Sequence, residues 1–183
     1  MSLGRSIAAT LVALAALAAS AAAQQPSTPA APPAAPAKPA FDVQVKTSEP
    51  VHAVVLPMKG SYMQHPDAFS KLAGYLSGKG IAPGSPAFGR YFSDPSVGET
   101  NLVWEVGFPI AAGVSVEAPY EIKDLPAVLC ATHVHRGPIE ELGAAWGTLA
   151  QWAISNGYQP AVPAVQRFNG DMSEVEMLMP VRK

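Results

Sequence analysis

The 183-residue chain has one cysteine and few charged side chains. One thiol cannot form an intramolecular disulfide, and the apolar neighbours of Cys130 predict a buried thiol that packs as a small hydrophobic side chain. Charged residues make up 14% of the chain, and the formal net charge is −2. Because the sequence has neither a basic run nor a helix-turn-helix pattern, we expect no binding to nucleic acid.

Short catalytic motifs are missing as well. The sequence contains no G-x-S-x-G elbow, phosphate-binding loop, H-E-x-x-H pair or paired-cysteine zinc pattern. His133 and His135 would share one face of a strand, but no third ligand follows at a suitable spacing. Ordinary polar strand residues are the favoured interpretation, and no metal or cofactor is expected.

The first residues carry a targeting signal. Arg5 precedes an apolar stretch over residues 7–19, and alanines at positions 21–23 form a small-residue cleavage site. The stretch is short and alanine-rich for a membrane span, which needs about 20 strongly apolar residues. We therefore expect residues 1–23 to be a Sec-type signal peptide of a periplasmic or secreted bacterial protein, with no stable membrane insertion after processing.

Two further segments follow. Residues 24–40 are rich in proline and alanine, a composition that predicts an extended linker because it cannot bury enough apolar area to fold. Residues 41–183 have the length of one folded domain.

One block of that domain is repeated 77 positions further along the chain. The matched positions hold aromatics, leucines, glycines and prolines: Phe69 and Trp146, Leu72 and Leu149, Tyr75 and Trp152, Gly80 and Gly157, Pro83 and Pro160, Pro86 and Pro163, Tyr91 and Phe168. After a six-residue slip, each copy closes with Glu-x-x-x-Pro, at Glu105 and at Glu176. The repeat predicts a pseudo-symmetric domain with a seam, where ligands tend to bind.

Each copy has the same order of predicted elements. One helix opens at Pro66 and ends at Gly78, and the other covers about residues 138–155. Strands are predicted at residues 43–45, 51–56, 87–92, 102–108, 127–134, 165–168 and 175–179. The order β-α-β-β, found twice, predicts an α+β domain with a largely antiparallel sheet, both helices on one face and a groove between the repeats.

Four large rings lie on the two predicted helices: Phe69, Tyr75, Trp146 and Trp152. Packing against the sheet is the commoner role of an aromatic stripe at helical spacing, and we expect it for most of them. The alternative is that they wall a cleft between the halves.

Two carboxylates stand out because their strands are otherwise apolar. Such a carboxylate must be paired, hydrogen-bonded or protonated, so Glu176 is a candidate counter-charge for a cationic ligand. Glu105 occupies the equivalent position between Trp104 and Phe108. A solvent-facing position is the competing interpretation for both, and convergence of the two as an acid–base pair is less favoured.

Several motifs together resemble one known family over residues 41–183. They are Trp104-Glu105-Val106-Gly107-Phe108-Pro109, Leu125-Pro126-Ala127, His135-Arg136-Gly137-Pro138, Leu142, Trp146, Leu149, Trp152, Asn156-Gly157, and Glu176 with Pro180-Val181. In order and spacing they resemble the GyrI-like effector-binding domain.

The resemblance implies a duplicated fold whose groove binds hydrophobic, often cationic, small molecules. The family's acidic residue, four positions before the proline of the last strand, corresponds to Glu176. Aromatic walls would come from Tyr62, Tyr91, Trp104, Phe108 and Trp146, with Glu105 as a second carboxylate. Ile139 stands where relatives often have a tyrosine, which removes one ring. The family's transcriptional and gyrase-inhibiting roles do not carry over to an exported chain without a DNA-binding domain.

The leading hypothesis is an exported protein that binds a hydrophobic or cationic small molecule. A hydrolase of reactive small molecules is the first alternative, with Glu176 as general base and Tyr91 or Glu105 assisting. A haem-binding protein of the SOUL type is the second, because four histidines offer ligands: His52, His65, His133 and His135. A protein-interaction module tethered by the linker is the third.

Overall fold

A computed structural model describes residues 41–170 and 174–183. The predicted signal peptide and the predicted linker lie outside the described residues. Within the described ranges, no helix is long and apolar enough to cross a membrane.

The described chain folds into nine β-strands and two α-helices, joined in places by short 3-10 turns. The strands are β1 (Gln44–Thr47), β2 (Val51–Lys59), β3 (Ala87–Tyr91), β4 (Val103–Pro109), β5 (Glu121–Leu125), β6 (Leu129–Arg136), β7 (Gln159–Pro160), β8 (Ala164–Phe168) and β9 (Glu174–Arg182). The helices are α1 (His65–Gly78) and α2 (Leu142–Ser155).

The strands form one antiparallel sheet in the order β1-β6-β9-β8-β3-β4-β2-β5, with β7 paired to β9. This confirms the predicted α+β class and the antiparallel sheet. The units β2-α1-β3-β4 and β6-α2-β8-β9 meet where β3 pairs with β8. Descent of these two units from one duplicated sequence stays a prediction.

Helix α1 covers the β2–β4 end of the sheet. Pro66 suits the first turn because the amide it lacks has no intrahelical acceptor there, and the buried positions Ala68, Leu72 and Leu76 recur every four residues along one side. These side chains pack with Leu56 and Trp104 of the sheet. Full burial of a leucine contributes about 1.5–3 kcal/mol, so this face fixes the helix on the sheet.

Helix α2 covers the β6–β9 end in the same way. Leu149 and Ala153 pack against Met177 and Met179. Phe69 of α1 packs against both core clusters, which joins them on one side of the sheet. The four rings on the helices all take part in this packing, as expected for most of them.

Two local predictions were wrong. Helix α2 begins at Leu142 rather than near Pro138, because Pro138 has an extended backbone (φ −57°, ψ 141°) and residues Ile139–Glu141 form a 3-10 turn. Strand β5 was missed because three of its five residues are charged, which gives no apolar run. It lies at the edge of the sheet, where charged residues are common.

Candidate functional site

Backbone alternation divides the side chains of the sheet between the helix-covered face and a helix-free face. Directly paired residues point to the same face. Arg90 pairs with Glu105 across β3 and β4, and with Val165 across β3 and β8. Arg167, two positions from Val165, pairs with Glu176 across β8 and β9. Both carboxylates therefore lie on one face.

That face is the helix-free one. Trp104 and Val106, the neighbours of Glu105 on β4, point the other way and pack with α1. Met177, the neighbour of Glu176 on β9, packs with α2. The helix-free face thus carries Glu105 and Glu176 together with the residues paired to them.

Glu176 is held between two cations of its own chain, an arrangement that we call the Glu176 clamp. Lys46 Nζ donates to Glu176 Oε1 at 2.7 Å, and Arg167 Nη1 lies 3.5 Å from Glu176 Oε2. Lys46 comes from the edge strand β1, and Arg167 from the inner strand β8. The Glu176 side chain is 15% exposed. A carboxylate so far removed from water requires such partners.

Glu105 is held in the same manner by the Glu105 clamp. Arg90 Nη1 lies 2.5 Å from one carboxylate oxygen and Lys123 Nζ lies 2.7 Å from the other. The Glu105 side chain is 2% exposed. Burial lowers the pKa of Lys123, but its hydrogen bonds to Glu105 and Glu121 outweigh this effect and raise that pKa overall.

The two clamps contain the same residue types but differ in contact distances and in exposure of the carboxylate. Each joins a glutamate on a middle strand, an arginine on the adjacent inner strand and a lysine on an edge strand. In the Glu105 clamp both contacts are short and the carboxylate is closed off from solvent. In the Glu176 clamp the arginine contact is long and the carboxylate is still accessible. Of the two carboxylates, Glu176 is the more exposed, at 15% against 2% for Glu105.

Apolar side chains form the floor between the clamps. Phe88, Ala53 and Val55 are buried together on the helix-free face, with Val165 packed beside them. Leu178 is paired with Val165 and is also buried. Of these side chains only Val165 is partly exposed, so it is the apolar group that a ligand at Glu176 would contact.

Cys130 belongs to the same face, since it pairs with Pro180 and with Lys46. It is buried, as predicted. Burial raises the pKa of the Cys130 thiol to about 11, so the side chain stays a neutral thiol at physiological pH.

The predicted aromatic walls lie elsewhere. Trp104 is buried on the helix-covered face, and its Nε1 donates to the carbonyl of Gly60 at 2.9 Å. Tyr62 stands edge-on to Tyr91 at 5.1 Å and to Trp104 at 6.0 Å. These three rings are part of the core under α1.

The remaining two predicted rings are likewise on the helix-covered side. Phe108 stands edge-on to Phe69 of α1 at 5.9 Å. Trp146 packs from α2 against the second core cluster. The structure therefore does not bring the five predicted rings and the two carboxylates to one surface, because residues adjacent in a strand point to opposite faces. Ligand binding by any one of these residues stays a prediction.

Residues 41–181 match the model of the GyrI-like small molecule binding domain. The chain belongs to this family. No protein of curated function matches the sequence.

Solved structures share the fold of this GyrI-like domain at low identity. The C-terminal domain of EcmrR has a TM-score of 0.69 at 18% identity, covering 79% of this chain and 99% of that one. A longer EcmrR chain, solved in a complex with DNA, has the same TM-score of 0.69 and the same identity of 18%. The alignment covers 78% of this chain and 58% of the EcmrR chain. A hydrolase from Listeria innocua has a TM-score of 0.56 at 13% identity, covering 80% and 94%. SAV2435, solved with tetraphenylphosphonium, has a TM-score of 0.53 at 11% identity, covering 78% and 94%.

A second polar network of the GyrI-like domain lies under α1. Tyr91 Oη lies 2.7 Å from Gln166 Oε1 and 2.9 Å from His65 Nε2, and its single proton is donated to one of the two at a time. His65 Nδ1 contacts the carbonyl of Tyr62, which can only accept, so Nδ1 carries a proton. Burial, with a smaller contribution from Tyr62, raises the pKa of Tyr91 far above its ordinary range. Burial lowers the pKa of His65, and the Tyr62 carbonyl offsets this only in part.

This network bears on the hydrolase alternative. Tyr91 and Glu176 point to opposite faces of the sheet, so they do not form an acid–base pair. Tyr91 instead joins the two halves, from β3 to Gln166 on β8.

The four histidines considered as haem ligands each have a structural contact. His52 Nδ1 is 2.6 Å from Asp124 Oδ1, His133 Nδ1 is 2.8 Å from the Asp42 carbonyl, and His135 Nε2 is 3.1 Å from the Pro138 carbonyl. His65 belongs to the Tyr91 network. Among residues 41–170 and 174–183, no group of three or more histidine, cysteine or acidic side chains is arranged to hold a metal ion.

Sequence reasoning missed the cations of both clamps. The alternation Phe88-Arg90-Phe92 along the end of β3 was a usable signal, since it puts Arg90 on the face opposite Tyr91. Lys46 gave no signal, because its contact with Glu176 spans 130 positions of sequence.

Proposed function

We propose that this GyrI-like domain is an exported protein that binds a hydrophobic cation on its helix-free face, with Glu176 as the counter-charge. The observation that carries the proposal is the difference between the two clamps. Glu105 has two short contacts and is 2% exposed, whereas Glu176 has one short contact, to Lys46, and one of 3.5 Å, to Arg167, and is 15% exposed.

The physical basis is exchange of one cation for another. A carboxylate beside apolar side chains is stable only with a partner, and Lys46 and Arg167 now fill that role. A ligand cation that takes over from one of them keeps Glu176 paired. If the ligand also covers Val165, which is partly exposed, it adds about 25 cal/mol for each Å² of apolar surface removed from water.

An aromatic ring lies beside the Glu105 clamp. The guanidinium of Arg90 lies over the Phe92 ring, 5.1 Å from its centroid. Such contacts contribute roughly 0.5–1 kcal/mol at exposed sites and more when desolvated. SAV2435, which shares the fold, is bound to tetraphenylphosphonium in its solved structure, and this compound is a hydrophobic cation.

Export is the second part of the proposal. It is supported by Arg5, the apolar stretch at residues 7–19 and the alanines at residues 21–23. Mass spectrometry of the protein recovered from the periplasm or medium is expected to give an N-terminus near Gln24. An intact N-terminus on protein retained in the cytoplasm would contradict export.

Thermal-shift measurements test the binding proposal. We expect tetraphenylphosphonium to raise the unfolding temperature of the wild-type protein, and the neutral analogue triphenylphosphine oxide to raise it less. Glu176→Gln keeps the size of the side chain and removes its charge, so it should abolish the difference between the two compounds. Equal stabilisation of wild type and Glu176→Gln by tetraphenylphosphonium would contradict the assignment of Glu176.

A further inference from the structure

We infer that Lys46 is a built-in competitor for the ligand cation at Glu176 and sets the affinity threshold of the site. This inference rests on the proposed function and concerns how the same site is regulated. Only a cation that brings large apolar surface would exceed the threshold, because a simple ammonium ion merely replaces an equivalent group.

The topology makes Lys46 an outside partner of the site. Lys46 is paired with Cys130 on β6, and β6 in turn is paired with β9, which carries Glu176. The lysine side chain therefore reaches across β6 to contact Glu176 at 2.7 Å. Strand β1 is four residues long and contributes no other side chain to the clamp.

Exposure decides which of the two cations leaves first. The Lys46 side chain is 48% exposed and that of Arg167 is 19% exposed. An ammonium group is strongly hydrated, so a displaced Lys46 regains water at once. Arg167 would have to leave a more buried position. The ligand therefore competes with Lys46, while Arg167 remains beside Glu176.

Competition has a quantitative signature. A cation that binds Glu176 must first break the Lys46–Glu176 ion pair, and this cost is the same for every cation. Removing Lys46 therefore strengthens the binding of every cation by the same factor, whatever its apolar surface. It leaves the binding of a neutral compound unchanged. An added apolar contact from the new side chain would instead strengthen neutral and charged compounds alike.

The test is isothermal titration calorimetry on protein produced from the full chain, with tetraphenylphosphonium, n-hexylammonium and triphenylphosphine oxide as probes. Lys46→Met is expected to bind both cations about two- to fivefold more tightly than wild type, within the range for partly exposed ion pairs. It should bind the neutral oxide unchanged. Lys46→Arg keeps a competing cation and should behave as wild type.

Lys79→Met is the matched control. Lys79 pairs with Glu117 at 2.8 Å and its side chain is 43% exposed, close to the values for Lys46, but it caps α1, which covers the other face of the sheet. This variant removes one positive charge and should leave all three affinities unchanged.

Two results would overturn the inference and leave the proposed function standing. One is loss of tetraphenylphosphonium binding in Glu176→Gln with no gain in Lys46→Met over Lys79→Met. The other is an equal gain for the neutral oxide in Lys46→Met. Equal binding of tetraphenylphosphonium by wild type and Glu176→Gln would instead remove the proposed function, and the inference with it. Absence of tetraphenylphosphonium binding by wild type would likewise remove the proposed function.

Discussion

On the helix-free face the Phe88 ring lies directly over the backbone of Gly107. The ring fits there because glycine has no side chain. A Cβ atom on Gly107 would overlap the Phe88 ring. The two residues are directly paired across β3 and β4.

Gly107→Ala is therefore expected to destabilise the fold by about 1–3 kcal/mol, the usual cost of overpacking a core. The control is Gly147→Ala in α2, where a Cβ atom would meet nothing within 4 Å. Alanine favours a helix over glycine by roughly 1 kcal/mol, so the control should be neutral or stabilising. Urea denaturation measures both, and similar midpoints for the two variants would contradict this account of Gly107.

His65 gives a prediction about pH. Burial lowers its pKa in the folded protein below the ordinary value of 6.5. As pH falls through 6.5 the unfolded chain therefore takes up this proton first, and the stability contributed by neutral His65 is lost between 6.5 and the lower pKa of the folded state. Above 6.5 the contribution is complete.

The measurement is the free energy of unfolding of wild type and His65→Gln between about pH 7.5 and 5, where an ordinary histidine titrates. Wild type should lose more stability than the variant as pH falls through this window. Parallel curves would mean that burial of His65 has no effect on folding.

Single residues also show where sequence reasoning ends. Trp104 and Glu105 are adjacent and were expected to form one site, yet the two-residue period of a strand sends them to opposite faces. The same alternation explains why Phe88 and Phe92, rather than Tyr91, lie on the face of the carboxylates. The two-residue alternation could be read from the sequence. Which of the two faces the helices cover could not, because it depends on tertiary packing.

At the scale of elements, Glu105 joins three strands of the first half. It lies on β4, its partner Arg90 on β3, and its partner Lys123 on β5. Among the described strands, β5 is paired only with β2, so the Lys123–Glu105 contact ties the edge of the sheet to strands beyond this neighbour.

Glu105→Gln is expected to destabilise the protein by about 3 kcal/mol, because it leaves two cations beside a neutral amide in a buried site. Glu121→Gln is the comparison, since exposed Glu121 also contacts Lys123, at 3.1 Å. An exposed ion pair contributes about 0–1 kcal/mol, so this second change should be small. Chemical denaturation that ranks the two variants equally would show that the Glu105 clamp is not structural.

The elements themselves were predictable to different degrees. The apolar spacing of Leu142, Leu149 and Ala153 is a local signal and predicted α2. The start of α2 was wrong because Pro138 is compatible with both a first helical turn and an extended residue before it. Charged β5 became a strand only by pairing with β2, a contact that a local pattern does not encode.

At the scale of the whole molecule, the order of elements in the sequence led to the correct fold class. Two β-α-β-β units need only one sheet and one helical layer to bury their apolar sides, and this is what forms. The clamps could not be predicted in this way. They depend on which strands become edges, and β1 and β5 each bring a lysine across a neighbouring strand to a glutamate.

The two halves of the domain, β2-α1-β3-β4 and β6-α2-β8-β9, differ in their carboxylates. Both clamps have the same composition, but Glu105 is closed and Glu176 is accessible. In this account the first half stabilises the sheet and the second half binds the ligand. The helix-covered face, with Trp104 and Tyr91, is core.

The proposed binding of the ligand beside Glu176, on the helix-free face, underlies the other functional predictions. The most direct test is to measure nuclear Overhauser effects from the phenyl protons of bound tetraphenylphosphonium to assigned methyl groups of the protein. We expect contacts to the methyl groups of Val165, which is partly exposed, and their loss in Glu176→Gln. Contacts to Leu72 and Val106, beneath α1, would place the ligand on the other face and contradict the account.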